Sequence, residues 1–162
     1  MNRPARTLPP CILLVSLLLA GCGPVLVQDE ARAREVVGRY HGEVRSEGRT
    51  DLLASLHHED LVVRMEDGQT LEGPTALAGE IRNLRRAFPD WNERVEAVLV
   101  EGERVATRVV ATGTHRGPFR GIAPTGRRVE VVRLNQFRLR SGRVARQWSL
   151  TDLADLEQQL RD

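Results

Sequence analysis

Hydrophobic and polar positions repeat with two different periods, and the change of period divides the chain into a helical part and a strand-rich part. From Asp29 to Gly48 the apolar positions recur at helical spacing. They are Ala33, Val36, Val37, Tyr40 and Val44. A short second helix is predicted around 52–56, and a third begins at Pro74 and stops at Pro89. Its apolar stripe is Leu77, Ile81, Leu84 and Phe88.

The second half has a period near two, which is typical of strands. A hairpin turning at Asp67-Gly68 comes first, and four long strands follow. We expect those strands at 94–100, 104–115, 127–140 and 143–150. Thr151 or Asp152 then caps a last helix that carries Leu153, Leu156 and Leu160. Helices followed by consecutive antiparallel strands predict an α+β fold, with a strongly bent antiparallel sheet and helices on one face, closing a cone around a cavity.

The N-terminal segment has the features of an export signal. Arg3 and Arg6 precede the apolar stretch 12–19, which is too short to span a bilayer. The sequence Leu19-Ala20-Gly21-Cys22 resembles the bacterial lipobox, in which the cysteine is lipidated and becomes the new N-terminus. We therefore expect a cleaved signal (1–21), a lipidated tether (22–28) and one domain (29–162). An ordinary secretory signal with Cys22 free is the alternative.

A lipid on Cys22 implies a bacterial protein attached to the cell membrane or the outer membrane, with its domain outside the cytoplasm. No other cysteine would remain in the mature chain, so we expect no disulfide within the domain.

Composition adds one exclusion. The 162 residues include 24 basic ones, all arginine, and 22 acidic ones, giving a net charge of +2 and a pI near 8.9. Removing Arg3 and Arg6 with the signal leaves the domain neutral, and its arginines are interspersed with acids. No groove-reading motif or aromatic ladder accompanies them, so nucleic-acid binding is not expected.

Several motifs together resemble one family. They are Phe88-Pro89-Asp90, the loop GTHRGPFRGIAPTGR at 113–127, the SGRV turn, and Trp148 with Asp152 in WxxxD spacing. In this order, over residues 29–161, they are similar to the SnoaL-like polyketide cyclases (ester cyclases) of the NTF2-like superfamily. The resemblance implies a cone-shaped α+β barrel, often a homodimer. It also implies a pocket that closes a polyketide ring by an intramolecular aldol reaction without metal or cofactor.

The resemblance gives Asp152 the role of acid/base, through the WxxxD motif. Positions 148, 150 and 152 of an extended strand share a face, so Trp148 and Asp152 would look into the same cavity, where desolvation raises a carboxyl pKa. The alternative is that Asp152 only caps the last helix, which would lower its pKa. His115 is a second catalytic candidate if it faces inward, or else a group that pins the loop.

Other residues are candidates for binding the ligand. Arg138 and Arg146 could clamp an anion, or neutralise Asp152 in an ion pair. Phe119 could cover the pocket or seal the core, and Phe88 and Tyr40 are further predicted ligand contacts. His41 is expected to be solvated, and no metal site is expected.

Three functions remain open from the sequence. One is a cofactor-independent enzyme of the cyclase type acting on a small carbonyl or ester compound. Another is a lipid-anchored module that only binds a small molecule, and the third is a scaffold that serves mainly to dimerise. An extracytoplasmic position counts against cytosolic polyketide intermediates as the substrate.

Overall fold

The computed structural model describes residues 23–162, so the predicted signal and Cys22 lie outside the described residues. Its helices are α1 (Gly23–Arg39), which continues as a π-helical segment (Tyr40–Ser46), α2 (Leu53–Leu56) after a 3₁₀ turn (Thr50–Leu52), α3 (Gly73–Ala87) and α4 (Leu153–Arg161). Its strands are β1 (His57–Arg64), β2 (Thr70–Glu72), β3 (Asn92–Glu101), β4 (Arg104–Thr114), β5 (Arg128–Arg140) and β6 (Arg143–Thr151). None of the described helices is long and apolar enough to cross a bilayer.

One six-stranded sheet carries the fold, in the order β2-β1-β6-β5-β4-β3. All neighbouring strands are antiparallel except β1 and β6, which run parallel. The register shifts at Glu96 of β3 and at Ala145 of β6, each an extra residue that has no partner on the neighbouring strand. Such irregularities increase the local twist and bend a sheet.

The helices cover the inner face of this bent sheet. The larger apolar core lies between α1, the π-helical segment, α3 and the strands, and includes Val36, Val37, Ile81 and Phe137. A second cluster fills the other end under α4, around Phe88, Trp91 and Leu156. The two clusters leave the middle of the cone to polar side chains.

The predicted α+β class is confirmed, and the predicted helical stripes are buried. Two details differ. The sheet is not purely antiparallel, because β1 returns beside β6 in the same direction. The first helix begins at Gly23, so the backbone of 23–28, expected as a tether, is helical. Pro24 is compatible with this start because the first helical turn needs no N–H from it.

Candidate active site

The interior of the cone holds buried charged side chains that meet at one carboxylate, Glu93. Its Oε2 accepts a hydrogen bond from Nδ1 of His41 at 2.7 Å, and its Oε1 accepts one from Nε of Arg45 at 3.0 Å. Nη1 of Arg133 and Nε1 of Trp91 donate to the same Oε1. All five residues, which we call the Glu93 cluster, are at most 6% exposed. The cluster is therefore an interior ion-pair network.

The charges of this cluster settle the state of Glu93. Burial would raise the pKa of its carboxyl group, but the guanidinium groups of Arg45 and Arg133 and the His41 hydrogen bond outweigh burial. They hold the pKa of Glu93 well below its usual range. Glu93 is consequently a fixed anion, and a carboxylate with four donors is a poor proton acceptor.

Local backbone geometry brings His41 and Arg45 inward together. The π-helical segment widens the helix, and four of its residues are buried. They are Tyr40, His41, Val44 and Arg45. Such segments are rare and often occur at functional sites. The expectation that His41 is solvated is wrong, since its ring is fully buried between Glu93 and Thr107.

A chain of neutral polar groups extends the cluster along the inner face of the sheet. Nε2 of His41 lies 3.2 Å from Oγ1 of Thr107, which also accepts from Nδ2 of Asn135 at 3.4 Å. Ser149 donates to Oδ1 of Asn135 at 3.0 Å and accepts from Nε2 of Gln147 at 2.9 Å. These bonds satisfy most of the buried polar atoms, as the interior of a stable protein requires.

A cavity of about 140 Å³ opens beside the Glu93 cluster. Its polar wall includes Arg45, Trp91, Arg133 and Thr151. Its apolar wall is Met65, Leu84, Phe119, Leu153 and Leu156, and Glu66, Asp67, Gln69, Glu80 and Arg120 complete the lining. An apolar cavity of similar size binds a single benzene ring, so this cavity suits a molecule of about that size.

Two of the three arginines that line the cavity, Arg45 and Arg133, each keep one nitrogen unused among the described residues. Arg45 donates from Nε to Glu93 and from Nη1 to Glu80, the latter at 2.8 Å. Arg133 donates from Nε to Thr151 Oγ1 at 3.1 Å and from Nη1 to Glu93. Within the part of the chain that the structure describes, neither Nη2 has a hydrogen-bond partner. Two guanidinium donors held in place by a buried anion can therefore serve an oxygen atom of a ligand.

The WxxxD pair does not face this cavity. Trp148 is 38% exposed on the outer face of the sheet, while Gln147 and Ser149 face inward, so the inward orientation expected for Trp148 is wrong. Asp152 is exposed and is the N-cap of α4, where its Oδ1 accepts from the backbone N–H of Asp155 at 3.0 Å. This placement fits the capping alternative and gives no support to a role for Asp152 in proton transfer.

His115 also lies away from the cavity. Its ring is buried and stacks on Phe88 with 5.2 Å between the ring centroids. Its Nδ1 accepts from the backbone N–H of Thr125 at 3.3 Å, and its own backbone N–H donates to Arg127. Burial lowers the pKa of His115. These contacts fit the alternative in which the ring pins the 117–126 loop.

The remaining predicted ligand contacts fall on different surfaces. Phe119 lines the cavity and also packs against the second apolar cluster, so its position fits both interpretations. Phe88 and Tyr40 are completely buried core residues, and the hydroxyl of Tyr40 accepts from Gln147 at 3.1 Å. Arg138 and Arg146 lie opposite each other on β5 and β6 and line a separate pocket beside Trp148. Arg146 donates to the carbonyl of Asp60, not to Asp152.

Comparison with known proteins agrees with this architecture. Residues 35–160 match the family model of the SnoaL-like polyketide cyclases. A protein from Jannaschia sp. CCS1, assigned as a SnoaL-like polyketide cyclase, superposes with a TM-score of 0.77 at 26% identity, over 87% of this chain and 96% of its own. IdmH from Streptomyces antibioticus, assigned as a polyketide cyclase, superposes with a TM-score of 0.71 at 28% identity, over 79% of this chain and 97% of its own. TsrD from Streptomyces laurentii superposes with a TM-score of 0.74 at 25% identity, over 82% of this chain and 97% of its own. Among curated proteins, none matches this chain.

The bent sheet, the covering helices and the cavity between them define the NTF2-like class of α+β cones. Since the family model spans most of the chain, the protein belongs to the SnoaL-like polyketide cyclase family.

Proposed function

We propose that this protein is a membrane-anchored, cofactor-independent acid–base enzyme that removes a proton next to the carbonyl group of a small carbonyl or ester compound. The observation that carries the proposal is the pair of Nη2 donors, of Arg45 and Arg133, that have no hydrogen-bond partner among the described residues and belong to the wall of a cavity with both polar and apolar sides. When a proton leaves the carbon beside a carbonyl, negative charge develops on the oxygen. Donors already oriented toward that oxygen stabilise the transition state more than the ground state.

The size of the cavity supports a small substrate. Sites for drug-sized ligands occupy about 300–1,000 Å³. The cavity here is about 140 Å³, which is below that range and close to the size of a single ring. A position outside the cytoplasm, which the lipobox-like Leu19-Ala20-Gly21-Cys22 favours, agrees with a substrate other than a cytosolic polyketide intermediate.

The test is exchange of α-protons, which requires no knowledge of the product. Purified protein is incubated in D₂O with cyclohexanone or acetophenone, and loss of the α-proton signal is followed by ¹H NMR. Arg133→Lys keeps a positive charge near Glu93 but loses the forked donors, so exchange should fall by on the order of 10². Arg128→Lys, on the same strand but exposed, is the matched control. Equal rates in the two variants would contradict the donor role.

A non-catalytic module that binds a small ligand is the second candidate. It is favoured by the placement of Asp152, because the carboxylate expected from the family motif caps a helix outside the cavity. The same experiment separates the two functions. Saturation transfer from the protein to acetophenone, without any exchange above the rate in buffer, is the result expected of a binding module.

The lipid anchor has an independent test. Expression in bacteria with labelled palmitate should label the wild-type chain and leave Cys22→Ser unlabelled, because the thiol carries the lipid. Label that persists in Cys22→Ser would contradict the anchor.

A further inference from the structure

The acids that line the cavity differ in how far their charges are neutralised. Glu80 accepts from Nη1 of Arg45 at 2.8 Å. Asp67 accepts from the backbone N–H of Gln69 at 3.0 Å through Oδ1, and pairs with Arg120 at 3.4 Å through Oδ2. Among the described residues, the carboxylate of Glu66 has neither a hydrogen bond nor an ion pair, and its Oε2 is buried without a partner. Glu66 is thus the one acid of the lining whose carboxylate is not already bound within the described part of the chain.

The turn between β1 and β2 determines this position. Met65 N–H donates to Gln69 O at 2.9 Å and Gly68 N–H to Met65 O at 3.1 Å, so the turn is closed on itself. Gly68 has a φ of +84°, a conformation that glycine adopts without strain. Met65, Glu66 and Asp67 all line the cavity, and Asp67 also pairs with Arg120.

Contacts of Arg120 hold the 117–122 loop over this corner of the cavity. Arg120, next to the cavity residue Phe119, pairs with Asp67 and also donates from Nε to Glu157 of α4 at 3.0 Å. The 117–122 loop is therefore tied to both sides of the opening. An unpaired carboxylate under such a cover lowers stability, and a native protein that keeps one calls for an explanation.

This inference rests on the proposed function and names the residue that removes the proton. We propose that Glu66 is the catalytic acid/base of the cavity. Its carboxylate takes the proton from the α-carbon of the bound carbonyl compound, and the electron pair of the broken C–H bond moves to the carbonyl oxygen, held by Nη2 of Arg45 and Arg133. The enolate carbon then takes the proton back, or forms a carbon–carbon bond to a second carbonyl of the same molecule, whose oxygen takes the proton from Glu66. The step needs no other reactant.

The alternative acids fit less well. Glu93 is engaged by four donors and is a fixed anion. Asp152 is exposed and bound to the N-terminus of α4. Because general bases typically contribute 10²–10⁴-fold, the loss of the correct one is easy to measure.

The experiment compares α-proton exchange of acetophenone in wild type, Glu66→Gln, Glu72→Gln and Asp152→Asn. Glu72 is an exposed acid at the end of β2 and serves as the matched control. We expect Glu66→Gln to slow exchange at least about 100-fold while acetophenone still binds, by saturation transfer. Its urea midpoint should be equal to or higher than that of the wild type, because the variant removes an unpaired charge. Glu72→Gln should exchange as the wild type does.

Each other outcome has a distinct meaning. Exchange by the wild type that persists within twofold in Glu66→Gln overturns the assignment of Glu66 and leaves the proposed function standing. Loss of exchange in Asp152→Asn alone also overturns it and returns the role to the residue of the family motif. No exchange by the wild type above the rate in buffer overturns the proposed function itself, and this inference with it.

Discussion

The Glu93 cluster makes a quantitative prediction about stability. In Glu93→Gln the carboxylate that four donors share is replaced by a neutral amide of similar shape. Arg133 then has no anionic partner among the described residues, and Arg45 keeps only Glu80. Removing one partner of a buried ion pair costs about 3–5 kcal/mol, because the other charge stays buried without compensation. That is a large part of the 5–15 kcal/mol by which domains are typically stable.

The matched control is Glu80→Gln, which removes one carboxylate that pairs with the same Arg45. The Glu80 side chain is 21% exposed and can be replaced by water, so its loss should cost about 1 kcal/mol or less. The assay is equilibrium unfolding in urea, followed by tryptophan fluorescence, since Trp91 donates directly to Glu93. With a slope of about 2 kcal/mol per molar urea, Glu93→Gln should lower the midpoint by roughly 2 M.

A third variant tests whether the cost is that of an orphaned charge. Adding Arg133→Met to Glu93→Gln removes the arginine that lost its partner, so the double variant should be more stable than Glu93→Gln alone. A midpoint for Glu93→Gln no lower than that of Glu80→Gln would refute the view that Glu93 holds the interior together. A double variant less stable than Glu93→Gln would refute the charge explanation.

Three further predictions follow from other parts of the molecule. Burial lowers the pKa of His57 to about 4, so the unfolded chain binds more protons than the folded chain between pH 6.5 and 4. The free energy of unfolding should therefore fall by about 3 kcal/mol as the pH falls through that range. Urea unfolding at several pH values should show a smaller loss in His57→Gln, and an unchanged loss would contradict the assignment. A Cβ at Gly117 would overlap a backbone carbonyl of α3, so Gly117→Ala should lower the free energy of unfolding by about 1–3 kcal/mol. The control is Gly79→Ala, which has open space around it and should not lower the free energy of unfolding. The exposed leucines of the outer sheet face should bind a second copy of the chain. Leu134→Glu should therefore convert a dimer to a monomer in sedimentation velocity. A monomeric wild type would contradict this prediction.

The helical half of the fold could be predicted from the sequence because apolar residues there mark the buried face. The stripe of α3 and its limits at Pro74 and Pro89 are of this kind, since nothing in the interior competes with the 3.6-residue period. The parallel pairing of β1 with β6 could not be predicted, because it depends on which edge of the sheet remains open after the hairpins form.

The candidate site was harder to predict because polarity is reversed in its strands. In β6 the polar Gln147 and Ser149 face the interior, and the apolar Trp148 and Leu150 face outward. A rule that places apolar residues inside therefore assigns the wrong face to Trp148. The extra residue Ala145 in β6 adds to the difficulty, because Val144 and Ala145 are both buried and the alternation shifts there.

A usable signal for the interior did exist in β5. Buried and exposed positions alternate along β5 without a break. Arg133 falls on the buried face with Val131 and Phe137, whereas Arg138 falls on the exposed face. Parity with the apolar core thus points to Arg133 as the inward arginine. The partners of Arg133 could not be found in this way, because Glu93 lies on another strand and His41 on a helix, at sequence separations that only the folded chain brings together.

The distribution of hydrogen bonds separates the groups that maintain the fold from the groups left for a ligand. Glu93 has four donors, so a variant of Glu93 would lose activity through unfolding even if the carboxylate never touched a substrate. The Nη2 atoms of Arg45 and Arg133 and the carboxylate of Glu66, which have no partner within residues 23–162, contribute little to stability, and evolution toward stability alone would pair or remove them. Activity that falls without a loss of stability is therefore the result that identifies the chemistry of this cavity, and Glu66→Gln is the substitution for which we expect it.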